Sequence, residues 1–276
     1  MKKFSLLLFS VLLCISNYSL AQLVNTENSR KEKKEGIQGM ASVGFMFNKT
    51  TNEIIHIQND IGIQYSKKQH TFLLLNNLEL MKVSSSTGNQ DLINQHFQHF
   101  RYNYSRNDSS LIIWEYFAQH QQNKLKYQDL RIVSGAGPRF RIVEKDVFSF
   151  FICPLFMYEH EKEFETQSSK ASTSVLKGDF YGVLTLKLSD GLSIKHVTYY
   201  QPAFIDLSKS SNFEPINDFR IASETALTFK LFKKMLEFST VFTYSHDSRP
   251  PGLFVSETGD NTMNFYAIKN EIKLKF

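Results

Sequence analysis

The stretch Tyr266-Ala-Ile-Lys-Asn-Glu-Ile-Lys-Leu-Lys-Phe276 decides the fold class. Tyr266, Ile268, Ile272, Leu274 and Phe276 share one parity, and Lys269, Glu271, Lys273 and Lys275 share the other. A β-strand sends successive side chains to opposite faces, so this segment has one apolar and one charged face. A soluble sandwich accommodates such a strand. A transmembrane barrel requires it, because lipid lies outside and a polar lumen inside.

The same two-residue period recurs backwards through the chain about every 20 residues. It predicts strands near 37–48, 52–65, 70–83, 92–105, 110–121, 129–142, 146–160, 174–187, 191–204, 217–230, 234–246 and 263–276. Each exceeds the ~9–11 tilted residues that cross a bilayer. In Leu130-Arg-Ile-Val-Ser-Gly-Ala-Gly-Pro-Arg-Phe-Arg-Ile142, the arginines alternate with Leu130, Ile132, Phe140 and Ile142. Leu236, Phe238, Phe242 and Tyr244 oppose Glu237, Ser239, Thr243 and Ser245, while Phe219, Ile221, Leu227 and Phe229 oppose Arg220 and Glu224. Phe100, Tyr102 and Tyr104 oppose His99, Arg101 and Asn103. The charged parity is assigned to the interior, since a charge at the lipid midplane costs about 2–4 kcal/mol. Tyr102, Tyr104, Tyr199, Tyr200, Tyr244 and Trp114 suit interfacial girdles.

The connections are expected to alternate in length. Joints at Ser66–Gln69, Arg106–Ser109, Val143–Asp146, Leu188–Gly191 and Leu231–Lys234 are tight. Ser84–Asp91, Gln122–Gln128, Glu161–Thr173, Ile205–Ile216 and Asp247–Asn261 read as longer loops, with only Lys49-Thr-Thr51 short on that side. Such sorting distinguishes the two ends of an outer-membrane barrel.

Residues 1–21 read as an export signal. Lys2 and Lys3 precede an apolar core from Phe4 to Ile15, and Ser19-Leu20-Ala21 places cleavage before Gln22. That core is too short to span a bilayer as a helix. Leu13 before Cys14 disfavours a lipoprotein. Residues 22–35, with the run Arg30-Lys-Glu-Lys-Lys34, read as a flexible, solvated polar leader. Residues 36–276 are read as a single barrel domain.

Composition excludes several classes. After cleavage only Cys153 remains, so neither an internal disulfide nor a cysteine-rich metal site is available. The formal charge of +5 falls to about +3 without Lys2 and Lys3, too little to argue for nucleic acid. Aromatic residues make up 14%, with 25 Phe, yet beyond the signal no apolar run approaches the ~18 residues of a membrane helix.

A family resemblance rests on Gln95-His-Phe-Gln-His-Phe-Arg-Tyr-Asn-Tyr104, Ile113-Trp-Glu-Tyr-Phe-Ala-Gln-His120 and Leu130–Arg139. Their Arg-Tyr, Phe-Ala-Gln-x-Gln and Gly-Ala-Gly-x-Arg patterns resemble the salt-induced outer membrane proteins, a domain family of unknown function. The resemblance implies an outer-membrane barrel of a Gram-negative bacterium, and brings no reaction, ligand or catalytic residue. The signal ending Leu20-Ala21-Gln22 is of a kind common in Bacteroidetes-like bacteria. Resemblance to other barrels makes Phe276 the terminal signal for the barrel-assembly machinery.

The candidate site is the interior. Arg101, Arg131, Arg139, Arg141 and Arg220 are expected to face Glu115, Glu159, Glu161, Asp179, Glu224 and Glu237. Bidentate Arg–carboxylate pairs either fill a narrow lumen or make a charged constriction for ions or small solutes, and filling is the favoured reading. His96 and His99 fall on opposite faces, and the other histidines lack metal-ligand spacing. His246 and Ser248 share a face at the ~7 Å two-residue repeat, too far apart for a nucleophile and its base. No Gly-x-Ser-x-Gly elbow is present. Gly135 and Gly137 let the strand bend, let a bulky neighbour cross the wall, or open space for a ligand. The expectation is therefore an all-β, transmembrane antiparallel β-barrel of about 12 strands. It is a narrow pore or structural envelope protein with lipid as its surroundings, and it needs no cofactor. An outer-membrane lipid hydrolase and a soluble periplasmic β-sandwich are the alternatives.

Overall fold

The computed structural model describes residues 26–30, 33–49, 53–85, 88–124, 128–163, 172–208, 213–231, 236–248 and 263–274. The predicted alternation becomes β1 (Gly36–Lys49), β2 (Glu53–Lys67), β3 (His70–Ser85), β4 (Gly88–Tyr104), β5 (Ile112–Asn123) and β6 (Gln128–Glu144). It continues as β7 (Phe148–Glu163), β8 (Ser172–Ser189), β9 (Leu192–Asp206), β10 (Phe219–Leu231), β11 (Leu236–Asp247) and β12 (Met263–Leu274). These strands form one antiparallel sheet in sequence order, β1 to β12. No described helix is long and apolar enough to cross a membrane, which says nothing of strands that cross one.

The sheet is strongly rolled. Neighbouring strands lie about 4.8 Å apart, so a flat sheet would hold β5 and β8 about 14 Å from each other. Yet Tyr181 Oη on β8 donates to Glu115 Oε1 on β5 at 2.5 Å. Arg220 on β10 likewise reaches Glu159 on β7, at 3.4 Å. Cα atoms of the outermost strands, β1 and β12, approach within 8 Å. The hydrogen-bonded order begins at β1 and ends at β12.

Rolling separates the two parities. On β7 the odd residues Phe151, Cys153, Leu155, Met157, Glu159 and Glu161 are buried, while Ile152 and Phe156 are 43% and 67% exposed. On β6 Arg131, Val133 and Arg139 are buried and Ile132 and Ile142 exposed; on β4 His99, Arg101 and Asn103 are buried and Phe100 exposed. On β11 Glu237, Ser239, Thr243 and Ser245 are buried against an exposed Phe242. Tyr266 and Ile268 of β12 are exposed. The charged parity is thus enclosed and the apolar parity faces out. Tyr199 departs from the expectation of a girdle residue: it is buried, its ring 5.1 Å from that of Tyr181. Phe276 lies outside the described residues.

The enclosed face is not wholly polar. Phe151, Cys153, Leu155, Tyr181, Val183, Val197, Tyr199 and Ala222 cluster there, and Leu73, Leu75 and Phe97 form a smaller group. Two glycines make room. A Cβ at Gly135 would lie 2.6 Å from the Phe117 ring; one at Gly137 would lie 2.6 Å from the Pro154 carbonyl and 2.8 Å from a Leu155 methyl. Of the roles considered for these glycines, the structure has bulky neighbours crossing the wall. The β6–β7 ladder is also interrupted between the Ala136–Phe156 and Phe140–Ile152 pairs. Pro138 and Pro154 stand in that gap, and neither has an N–H to donate.

Loop lengths differ in part from expectation. Ser84–Asp91 is mostly strand, since β3 runs to Ser85 and β4 starts at Gly88, with a register shift at Met81/Lys82. Gln122–Gln128 is shortened similarly by β5 and β6. The β7–β8, β9–β10 and β11–β12 connections remain long and share one end of the sheet. At the opposite end β2 and β3 join through two residues, with Lys68 left-handed at φ 50°.

One part of the leader departs from the solvated expectation, while Lys33, Lys34 and Glu35 are exposed and residues 22–25 and 31–32 lie outside the described residues. Thr26–Ser29 forms a short 3-10 helix, and Thr26 and Glu27 are 3% and 0% exposed. Glu27 is enclosed by the sheet rather than solvated. Ion pairs hold it there: the Glu27 carboxylate pairs with Arg101 and Arg139, and Arg30 of the same segment pairs with Glu115.

Candidate functional site

Two tiers of charge occupy the enclosed face. The first lies toward the short turns. β4 contributes Arg101 and Asn103, β5 Glu115, β6 Arg139, β8 Tyr181 and β9 Lys195, all on the inward parity of their strands. Glu27 enters among them. Its carboxylate pairs with Arg101 and lies 3.1 Å from Arg139 Nη1, and its backbone carbonyl accepts from Lys195 Nζ. Arg101 also donates to Thr26 Oγ1. Arg30 Nη2 reaches Glu115 Oε2 at 2.7 Å and Asn103 Oδ1 at 3.2 Å, and Asn103 Nδ2 donates to the same Glu115 oxygen at 3.0 Å. Arg139 donates to Tyr181 Oη at 3.3 Å and stacks its guanidinium 4.3 Å from the Phe151 ring centre.

Buried charge persists only when it is paired and hydrogen-bonded. Burial alone would push the Glu27 carboxyl upward, but Arg139, Arg30 and Arg101 outweigh it and hold the group well below the usual carboxylate range. The leader's hold is therefore fully present above the ordinary carboxylate pKa and is lost only as pH falls through that depressed value. Nearer the rim, Lys33 pairs with Asp108 at 2.6 Å, and this hydrogen bond and charge lower the Asp108 pKa. The 105–111 connection folds over this end, where Arg141 Nη1 donates to the Asp108 carbonyl and pairs with Glu144, each at 2.5 Å. A cavity of about 250 Å³ opens here, bordered by Glu27, Arg30, Lys33, Arg139, Arg141 and Lys195 among others.

The second tier lies toward the long loops. Arg131 forks onto Glu159, with Nε at 2.9 Å, and donates to Gln121 Oε1 at 3.1 Å. Lys177 Nζ reaches the other Glu159 oxygen at 2.5 Å. Arg220 bridges Asp247 at 2.7 Å, Glu159 at 3.4 Å and Glu161 at 3.8 Å. Gln128 donates to Glu161 at 2.7 Å. Between the tiers, Gln201 donates to Asp179 at 2.8 Å, and Leu155 and Tyr199 belong to the apolar cluster of the enclosed face.

The structure thus brings Arg101, Glu115 and Arg139 into one tier and Arg131, Glu159, Glu161 and Arg220 into the other. Arg141 sits at the rim. Glu237 is buried on β11 and Glu224 half-buried on β10, both on the enclosed face. The sequence reading missed Glu27, Arg30, Lys177 and Lys195. The two lysines carried a usable signal, because each lies on the parity of its strand's other enclosed residues. Glu27 carried none, having no period around it.

The remaining candidates are the histidines and Ser248. His99 is buried and stacks near Phe97 and Phe117, while His96 meets His120 edge-on, their ring centres 5.6 Å apart. Among the described residues, no group of three or more His, Cys, Asp or Glu is arranged to hold a metal. His246 Nδ1 is held at 2.9 Å by Asn264 Oδ1, and Ser248 Oγ accepts the Phe219 amide at 2.7 Å.

Two solved structures are similar in outline. A bacterial polysaccharide outer membrane secretin aligns over 87% of this chain and 97% of its own, at 7% identity and a TM-score of 0.44. Pseudomonas aeruginosa OccK11 (OpdR) aligns over 87% and 95%, at 11% identity and a TM-score of 0.23. No curated protein matches in sequence. The model of the family described as "protein of unknown function, DUF481" matches residues 41–266, nearly the whole sheet, and the chain belongs to that family.

Proposed function

We propose that the chain is an outer-membrane β-barrel whose interior is filled at rest. The closing seam is the pairing of β1 with β12, and residues 1–21 are the export signal. The observation that carries this reading is the direction of the two parities: the charged one is enclosed and the apolar one faces out on strand after strand. A soluble protein rarely leaves so wide an apolar band uncovered, and a β-sandwich would bury it. Lipid is the solvent that suits it, and an open sheet edge is not tolerated in lipid.

Aromatic belts support the same placement. Phe72, Tyr102 and Tyr116 stack across β3, β4 and β5 near the short turns, beside Trp114. Tyr200 and Phe219, then Tyr244 and Tyr266, form a second band near the long loops. Such belts mark the two interfaces of a bilayer. The tiers and the apolar cluster between them favour a filled barrel over a standing channel, and the geometry of His246 and Ser248 favours a wall over a hydrolase.

Fractionation and planar-bilayer recording test this together. The protein is expected in the outer-membrane fraction, with heat-modifiable migration on gels and no steady open-channel current. Recovery in the soluble fraction would reject the barrel. A constant, wide conductance would reject the filled interior.

A further inference from the structure

The two tiers are balanced in different ways. In the long-loop tier the central acid, Glu159, belongs to the wall, as do the Arg131, Lys177 and Arg220 that surround it. In the short-turn tier the wall supplies Arg101, Arg139 and Lys195, with Glu115 as the neighbouring wall carboxylate. The acid at their focus, Glu27, is carried by the leader. A permanent filler has no need to arrive on a separate segment. Without Glu27, the buried Arg101 and Arg139 and the half-buried Lys195 would face Glu115 and, beside Lys195, Glu224, an excess of positive charge that favours entry of an anion.

Two further observations point to a ligand. The cavity of about 250 Å³ leads to this focus from the short-turn mouth, and Arg30, Lys33 and Arg141 stand on its border. It has room for a small organic acid. Nε of Arg139 and Nε of Arg141 are buried donors without a hydrogen-bond partner among the described residues, and both side chains border the cavity. Guanidinium groups match carboxylates in planar, paired geometry, and Phe151 under Arg139 holds that plane in place.

We propose that Arg101, Arg139 and Lys195 form a binding site for a small carboxylate anion, and that the Glu27 side chain is its built-in occupant. A carboxylate from the cavity takes the place of Glu27, and Thr26–Arg30 is released toward the short-turn mouth. This deepens the barrel reading by giving its interior a ligand class, and the site itself is testable without a membrane.

Calorimetric titration with sodium acetate is the test. Wild-type protein is expected to give no saturable heat at millimolar acetate, because Glu27 holds the site. Glu27→Ala is expected to bind one acetate, and adding Arg139→Gln is expected to weaken that binding by about tenfold or more, the scale of one lost charged hydrogen bond. A variant lacking residues 26–30 should bind as Glu27→Ala does. A measurement on the unaltered chain guards against misfolding: trypsin cleavage after Arg30 should be about threefold faster in acetate than in chloride of equal ionic strength, as a population shift requires. Folded variants without saturable acetate binding would overturn the site, as would equal cleavage rates in the two salts. If the wild-type protein proves soluble, the barrel reading fails while the titration still decides the site.

Discussion

Glu159→Ala is expected to be the most damaging single substitution in the interior, lowering stability by about 3–5 kcal/mol, because it strips a buried group of charges of its shared partner. Glu159 is 3% exposed and accepts from Arg131, Lys177 and Arg220. Arg220 retains Asp247 and Glu161, but Arg131 keeps only the neutral Gln121 among the contacts described above. The control is Asp129→Ala. Asp129 pairs with Lys162 at 2.9 Å, but their side chains are 31% and 41% exposed. Solvent-screened pairs contribute less than about 1 kcal/mol. Urea unfolding of the refolded protein, followed by Trp114 fluorescence, measures both. Equal midpoints for the two variants would mean that the tier carries no structural load.

The second large effect is expected on the opposite face. Phe156 lies midway along β7, is 67% exposed, and has an aromatic neighbour in Phe204 at 6.3 Å. Phe156→Arg should destabilise the protein by about 2–4 kcal/mol in a bilayer, the cost of a cation near the midplane of a barrel's lipid face. The same change on a water-exposed surface would fall within about ±0.5 kcal/mol. Comparing urea midpoints of wild type and Phe156→Arg in lipid vesicles gives the answer, and unchanged midpoints would place Phe156 in water.

The strands were legible because their period is local. Alternation over β6 or β11 needs no knowledge of distant residues, and it also separates the faces: Arg131, Arg139, Glu237 and Ser239 are enclosed as their parity requires. What escaped depends on register and curvature. That Leu155 crosses Gly137, or that Tyr181 reaches Glu115 three strands away, follows only once the sheet is rolled and its pairs are in register. Tyr199 was misassigned for a related reason, since an aromatic residue beside Tyr200 satisfies either parity. The leader was the least legible element. Thr26-Glu-Asn-Ser29 is polar and aperiodic, and composition marks it as solvated. Its position is set by Arg101, Arg139 and Lys195 on β4, β6 and β9, which become neighbours only in the fold.

Lipid contact on the apolar face can be read with a single fluorophore, since Trp114 is the only tryptophan in the chain. In a Trp114→Phe, Phe156→Trp protein reconstituted with lipids brominated deep in their acyl chains, fluorescence at position 156 should be blue-shifted and strongly quenched. Emission characteristic of water, indifferent to the bromines, would mean that this face never meets a bilayer core, and would contradict the account.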